Sequence, residues 1–479
     1  PIMYMKMRNI AEVNSGKDPS AVSYTWDMIN EYEEGMHIDP TIYPSSNWYD
    51  IAIENGFVQQ HNARVSGGTD AVTYTTGVGF MDQKGVLIAN DKANRFSFDM
   101  KLTAEVTSHL KLTGAVTGNK RKFYEPGYGA STVFNTISRG IPIFSDYHEG
   151  AHYGSTWLFT PGRNNPENPR MQVEQGRILR DYQETLSRLE IDYKLPLDIN
   201  YNSTVGYRKI DHFSKNFVPQ MYTIHPKTGD VRMFNASAPR VKDWDAYHYQ
   251  LTLSHRLMWE RLLNQKHLVH IMFGQDYQVN RNRHFQAYNW GFYTNDLQEL
   301  NALQDQTNAE ATGSSSRDRL NSFYSRLSYT FKDKYMIEST FRYDGSSRFK
   351  KENQWTFYPS ILAGWRIDQE DFFDFDLVDG LKVRGSIGMM GNQAVPMYSY
   401  KSTVNISTDY NYSFGGDVAG GAAVAQIIDD QIKWESTTAY NAGIDLVAFK
   451  NKLSVTADYF YKRTNDILRT ISIPSHIGG

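Results

Sequence analysis

Apolar and polar residues alternate at period two in about fourteen segments of this chain, the mark of half-buried antiparallel strands. Phe96, Phe98, Met100, Leu102, Ala104 and Val106 form one apolar row, opposed by Ser97, Asp99, Lys101, Thr103 and Glu105. The same contrast sets Leu189, Ile191, Tyr193 and Leu195 against Arg188, Glu190, Asp192 and Lys194. It returns in Leu453, Val455, Ala457, Tyr459 and Tyr461 against Ser454, Thr456, Asp458 and Lys462. A row that mixes both signs of charge does not face lipid. It suits a water-filled lumen behind an apolar outer surface.

The connections carry a second rhythm. Tight polar turns at Gly67-Gly68-Thr69-Asp70, Thr107-Ser108, Leu195-Pro196, Lys332-Asp333-Lys334 and Lys450-Asn451 alternate with long segments near 82–93, 120–181, 210–243, 282–318, 345–353 and 391–436. Two short connections, Trp259 to Lys266 and Asp368 to Gly380, exceed an ideal turn. An outer-membrane barrel has this asymmetry, with short turns in the periplasm and long loops outside. A closed barrel is also one of only two structures that satisfy every backbone polar group in lipid. A propeller would repeat every ~40–45 residues with a blade signature, which is absent. A soluble sandwich rarely sets so many charged rows opposite aromatic ones. The patterning therefore predicts an all-β fold: a transmembrane antiparallel up-and-down β-barrel of which about 14 strands are present.

Residues 1–58 break the rhythm. Tyr4 to Val13 and Tyr24 to Glu34 read as short helices, the second capped by Gly35, and Pro40 and Pro44 break the chain before Asn47. We expect a partly helical connector entering the first strand over 1–58 and the wall over 59–479. No stretch approaches the roughly 18 apolar residues of a spanning helix, and a mean hydropathy of −0.56 is too polar for a helical membrane protein. A net charge of −3, without a basic stripe, argues against nucleic acid. The absence of cysteine excludes a disulfide framework and thiol-ligated metal. Pro1-Ile2-Met3-Tyr4 is not a secretory leader, and the pattern stops at Gly478-Gly479 without closing, so an internal piece of a longer protein is expected.

A set of motifs recurs in order along the chain. It begins with Tyr43-Pro44, Asn47-Trp48-Tyr49-Asp50, His61-Asn62 and Val65-Ser66-Gly67-Gly68. Tyr343-Asp344-Gly345-Ser346-Ser347-Arg348-Phe349, Phe357-Tyr358-Pro359-Ser360 and Gly364-Trp365-Arg366-Ile367 come next. Leu381 to Ser386, Gly391-Asn392-Gln393, Trp434-Glu435, Thr437-Thr438 and Asn441-Ala442-Gly443 complete it. Together these motifs resemble the SusC/RagA-type TonB-dependent transporters of the Bacteroidetes outer membrane, in which 1–58 would be the connector from plug to barrel. The resemblance implies a barrel of about 22 strands, with the family's plug domain, TonB box and signal sequence preceding this region. It implies TonB-dependent import of an oligosaccharide or a peptide, a SusD-like surface lipoprotein as lid, the TonB complex as energy source, outer-membrane lipid around the wall and no enzymatic activity. Periodicity alone also permits a passive porin, and composition permits a soluble glycan-binding β-protein.

Recognition chemistry concentrates in the long loops. Aromatic residues make up 14% of the chain, with 32 Tyr and 25 Phe, and aromatic faces stack on sugar rings while Arg and Asn supply hydrogen bonds. The candidate substrate-binding residues are Tyr128, Tyr153, Trp157, Arg163, Asn164, Trp290, Tyr410 and Tyr412. No catalytic residue, metal or cofactor is expected. His148 and His152 lack a third ligand. The run Glu370 to Asp376 fails the spacing of an EF-hand and reads as a periplasmic connection whose Phe372, Phe373 and Phe375 pack under the barrel. Asp344-Gly345 reads as a turn with positive φ and Arg348 pairing locally, and Gly391-Asn392-Gln393 as a strand-end turn.

Overall fold

A computed structural model describes residues 1–148, 152–154, 168–225, 228–233, 239–291, 294–302, 308–402, 404–424 and 431–469. Fourteen strands form one sheet in which every neighbour in sequence is an antiparallel neighbour in space. They are β1 Phe57–Gly68, β2 Val72–Lys84, β3 Lys92–Glu105, β4 Leu110–Pro126, β5 Arg177–Leu195, β6 Ile199–Val218 and β7 Arg240–Leu263, followed by β8 His267–Trp290, β9 Glu310–Phe331, β10 Tyr335–Ser346, β11 Trp355–Arg366, β12 Val378–Asn392, β13 Glu435–Ala448 and β14 Leu453–Asn465. β1 and β14 are the two edges, so the sheet is an open wall rather than a closed ring.

The register keeps each face chemically consistent. Leu102 lies opposite Gly114, Gly114 opposite Leu189, Leu189 opposite Val205, Val205 opposite Leu253 and Leu253 opposite Tyr277. Directly opposed residues point to the same side, so the apolar rows of the sequence join into one outer band. Aromatic pairs border it. Tyr335 stacks on Trp365 with centroids 6.4 Å apart, near the short turns, and Tyr343 stacks on Trp355 at 4.8 Å, near the long connections.

All short turns lie at one end. Four are built on consecutive residues with positive φ: Leu197 and Asp198, Asn264 and Gln265, Lys332 and Asp333, and Phe449 to Asn451. Such pairs match the right-handed twist of the flanking strands. The six long connections lie at the other end. The strands run further into them than the hydrophobic pattern predicts, since 120–126, 177–181, 210–218, 240–243, 282–290 and 310–318 are all in the sheet. There the outward row turns polar (Lys120, Lys122, Asp211, Arg281, Arg283), so the apolar signal ends while the hydrogen-bond ladder continues.

Helices α1 Ile2–Asn14, α2 Trp26–Ile38, α3 Trp48–Ala52, α4 Ala130–Ser138 and α5 Pro169–Glu174 occupy the long-connection end. The two N-terminal helices expected from the sequence are present, but Gly35 does not cap α2. It is buried inside the helix, where a Cβ would run into the Tyr43 ring at Cδ2. The largest apolar core lies here, not in the wall. Met5, Ile29, Tyr32, Trp48 and Ala52 pack with Leu87, Val133, Ile137, Ile143 and Val173. Phe57 of β1 opposes Lys84, at the long-connection end of β2. The chain thus enters the wall from that end.

Candidate functional site

The inner face of the wall is an ordered polar surface. Asn202 donates to Glu190 Oε1 at 3.0 Å and Asp192 Oδ1 at 2.7 Å, and accepts from Arg256 Nη2 at 2.8 Å. Arg208 reaches Glu184 at 2.6 Å, Arg326 reaches Glu338 at 2.6 Å, and Arg342 reaches Asp344 at 2.7 Å. Arg384 of β12 bridges Asp445 of β13 at 3.1 Å and Asp458 of β14 at 2.7 Å. Four of these arginines, Arg256, Arg208, Arg326 and Arg384, are matched across neighbouring strands and Arg342 along its own strand, so these ions are not left isolated on the lumen side. Asn202, within an Asn-x-Ser/Thr match, is consumed by this network.

The structure corrects two readings of the motif residues. Asp344-Gly345 is not a turn; both lie within β10, and Asp344 pairs with Arg342 while Arg348 reaches Asp318 at 3.7 Å. Glycine is required at 345 because the Trp355 indole covers it, 2.6 Å from where a Cβ would stand. The rings after Glu370 do not pack under the barrel. Phe372 and Phe375 are 68% and 63% exposed, with Phe372 edge-on to Trp365 at the rim. Glu370 itself accepts from Tyr335 Oη at 2.5 Å, Trp365 Nε1 at 3.0 Å and Lys334 Nζ at 3.3 Å. It serves as an acceptor for the aromatic rim.

The motifs that are far apart in sequence meet in space. Phe349, Tyr358, Val395 and Trp434 form one buried cluster at the long-connection end. Trp434 Nε1 donates to the Gln354 carbonyl at 2.9 Å, and Asn392, whose side chain also accepts from Ala394 N at 2.9 Å, donates to Glu435 at 3.2 Å. This strand-end turn agrees with the sequence reading. Gly391 leaves room for the Tyr358 phenol, whose Oη occupies the space that a Cβ would need. Trp48 plays the corresponding part in the first connections, donating from Nε1 to the Ile141 carbonyl at 3.0 Å.

The candidate recognition residues are distributed over this loop layer. Tyr128 and Tyr153 share a cluster with Met171, Val218 and Met221. Tyr153 donates to Glu174 at 2.8 Å, accepts from Gln175 at 2.9 Å and stacks on Tyr147 at 5.1 Å. Tyr147 also donates to Glu174, and burial together with this carboxylate raises both phenols above their ordinary range. The Arg240 guanidinium lies 5.9 Å from the Tyr128 ring and opposes Trp290 in register, while Trp290 stacks on Tyr288 at 5.5 Å. Tyr128, Tyr153 and Trp290 are therefore linked through Arg240 and the Met171 cluster. Arg240 and Glu174 escaped sequence reasoning because neither belongs to a motif. Tyr410 and Tyr412 lie on a separate hairpin, Val404–Phe414 with Asp417–Val424, where Tyr412 is exposed beside Phe414. Trp157, Arg163 and Asn164 lie outside the described residues.

With this geometry in place, comparison with known proteins is direct. Residues 123–479 match the family described as TonB dependent receptor-like, beta-barrel. The TonB-dependent receptor SusC of Bacteroides thetaiotaomicron is 24% identical over 456 residues, covering 90% of this chain and 43% of that protein. The TonB-dependent receptor P26 of Formosa agariphila is 25% identical over 455 residues, covering 92% of this chain and 43% of its own. Among solved structures, the RagAB peptide importer in its open-open state superposes with a TM-score of 0.76 at 17% identity, over 99% of this chain and 53% of that one. Its closed-closed state gives 0.75 at 17% identity, over 91% and 47%. This chain spans less than half the length of the curated relatives it matches.

Proposed function

The chain belongs to the TonB-dependent receptor β-barrel family of the outer membrane, whose members are not enzymes, and from that premise we propose that the whole protein imports an oligosaccharide or a peptide nutrient by a TonB-driven cycle. The observation that carries the reading is the pairing of an apolar outer band with a charged, ion-pair-bearing inner face in one sheet. An apolar exterior places the wall in lipid, and a charged interior provides a hydrated passage. The relatives are named as TonB-dependent receptors, and the two RagAB neighbours as states of a peptide importer.

On this reading a SusD-like lipoprotein sits over the loop layer and closes the passage from outside. Tyr128, Tyr153, Trp290, Tyr410 and Tyr412, with Trp157, Arg163 and Asn164, supply the aromatic and hydrogen-bonding contacts to the nutrient. Residues 1–58 form the passage from a plug into the wall, entered from the external end, and 59–479 form the wall itself. The test is genetic. Deleting the full-length gene should abolish uptake of one labelled oligosaccharide or peptide class, restored by the intact gene, and the tagged protein should co-purify with a lipoprotein. Undiminished uptake of every class in the deletion strain would reject the proposal.

A further inference from the structure

Four arginines stand together on the outer face of the wall, with no ion-pair partner among the described residues. Arg281 and Arg283 of β8 and Arg317 and Arg319 of β9 all point outward. Their rows continue those of Tyr277 opposite Asn321 and Phe273 opposite Ser325, and Arg281 is placed directly opposite Arg317. Like charges at opposed positions destabilise a sheet. Three other outward cations are matched: Lys120 and Lys122 reach Asp181 at 3.4 and 3.9 Å, and Lys209 reaches Asp211 at 2.9 Å. Among the described residues, the Arg281 and Arg317 side chains have only the Tyr249 hydroxyl as a polar partner, 3.4 Å from Arg281 Nη1.

Their height is informative. β8 carries outward His267, Val269, Ile271, Phe273, Gln275, Tyr277 and Val279 before the first arginine. At ~3.4 Å per residue and a tilt of ~40°, that stretch rises roughly 30 Å, about the thickness of the hydrocarbon core. Arg281 and Arg317 therefore emerge at the outer-leaflet head groups. β8 is paired on both sides, and β9 on both sides over Leu320–Phe331, so additional wall strands join at β1 or β14 and do not cover this face. Beyond Leu320 the free side of β9 meets the outer connections, Arg319 N donating to Ser347 Oγ at 2.9 Å and Arg317 N to Tyr398 Oη at 3.3 Å. A shallow groove lined by Arg281, Arg283, Phe285, Gly313 and Ser315 adjoins them, with Gly313 leaving its floor without a side chain.

We propose that this cluster binds the phosphate of an outer-leaflet phosphorylated glycolipid of the lipid A type. Planar guanidinium groups hold phosphate oxygens in paired, charge-assisted hydrogen bonds, and a bound dianion removes the repulsion between Arg281 and Arg317. The acyl chains then lie along Val279, Tyr277 and Phe273 below. The site needs only the orientation of the wall and is independent of what the protein imports.

The test uses the full-length protein in detergent, with native mass spectrometry counting added lipid A, lipid A stripped of phosphate, or inorganic phosphate. Lipid A should bind the wild type, and affinity should fall at least about tenfold for Arg281→Gln/Arg317→Gln and for the stripped lipid. The Arg281→Lys/Arg317→Lys protein should keep intermediate binding. Inorganic phosphate at the same concentration should not compete. Heat-modifiable migration on gels confirms folding, and the glutamine variant, freed of repulsion, should melt no lower than wild type. Equal binding by the glutamine variant or by the stripped lipid would overturn the proposal, as would competition by free phosphate. If the glutamine pair fails to fold, Arg319→Gln together with Arg283→Gln supplies the same comparison.

Discussion

The indole of Trp434 packs 5.1 Å from the ring of Phe349, joining residues 85 positions apart in the chain and pinning the connection after β12 to the one after β10. Tyr358 meets the same indole edge-on at 6.1 Å. Replacing Trp434 with Ala should cost about 3–5 kcal/mol locally, as expected for a buried aromatic. Hydrogen exchange of the full-length protein should show the loss around 346–355 and 392–396, with the wall strands unchanged. Trp434→Phe keeps the ring packing and gives up the bond to the Gln354 carbonyl, so its cost should be about 1–2 kcal/mol.

Gly35 sets helix propensity against packing. Alanine is favoured over glycine inside a helix by about 1 kcal/mol, but at this position its Cβ would enter the Tyr43 ring. Overpacking costs about 1–3 kcal/mol and should prevail. Gly35→Ala is expected to destabilise the N-terminal helices, and to stabilise them in a Tyr43→Ser background. Thermal unfolding of the four proteins gives the sign in each case.

Much of the wall was legible from the sequence, since period-two alternation fixes both strand and face. The outer ends of β4 to β9 were not. Around Lys120, Lys209 and Arg281 the outward row becomes polar as the strands leave the membrane, and the signal that marks a strand disappears there. Asp344-Gly345 misled for another reason. Its composition suits a turn, whereas the glycine answers to the Trp355 ring, a contact made across strands. The recognition residues were nameable by type, but Arg240 and Glu174, which tie Tyr128, Tyr153 and Trp290 to their surroundings, become visible only through the register and the fold.

The assignment of faces predicts an asymmetry at neighbouring positions. Leu257→Arg, opposite Phe273 at mid-height, places a charge in the outer apolar band and should cost about 2–4 kcal/mol. Met258→Arg, one residue away on the inner face, should cost much less. The gel-shift melting temperature of the full-length protein in lipid measures both. Equal losses would mean that the faces are reversed or equivalent.

On the inner face, Asn202→Ala leaves Glu190, Asp192 and Arg256 without their common partner. Unpaired buried polar groups cost about 1–3 kcal/mol, and the same melting measurement should show a loss in that range.

Acid should loosen the N-terminal helices. Glu12 accepts from Ser23 Oγ at 2.6 Å and Ser23 N at 2.9 Å and pairs with Lys17 at 2.9 Å and Arg8 at 3.0 Å, and these contacts, led by the Ser23 hydroxyl, lower its carboxyl from 4.5 to about 2. A depressed carboxyl stabilises fully above its unfolded value and loses that contribution as pH falls toward the folded one. The α1–α2 contact should therefore weaken between about pH 4.5 and 2, monitored by exchange of the amides near Ser23, and Glu12→Gln should remove the contribution of this group to the pH dependence.

Energised uptake is the most direct test of the central claim. Cells carrying the full-length protein are given the labelled nutrient identified by gene deletion, with TonB intact or removed. Import should fall to background without TonB while surface binding of the nutrient persists. Import that continues unchanged without TonB would contradict the account and make the wall part of a passive pore.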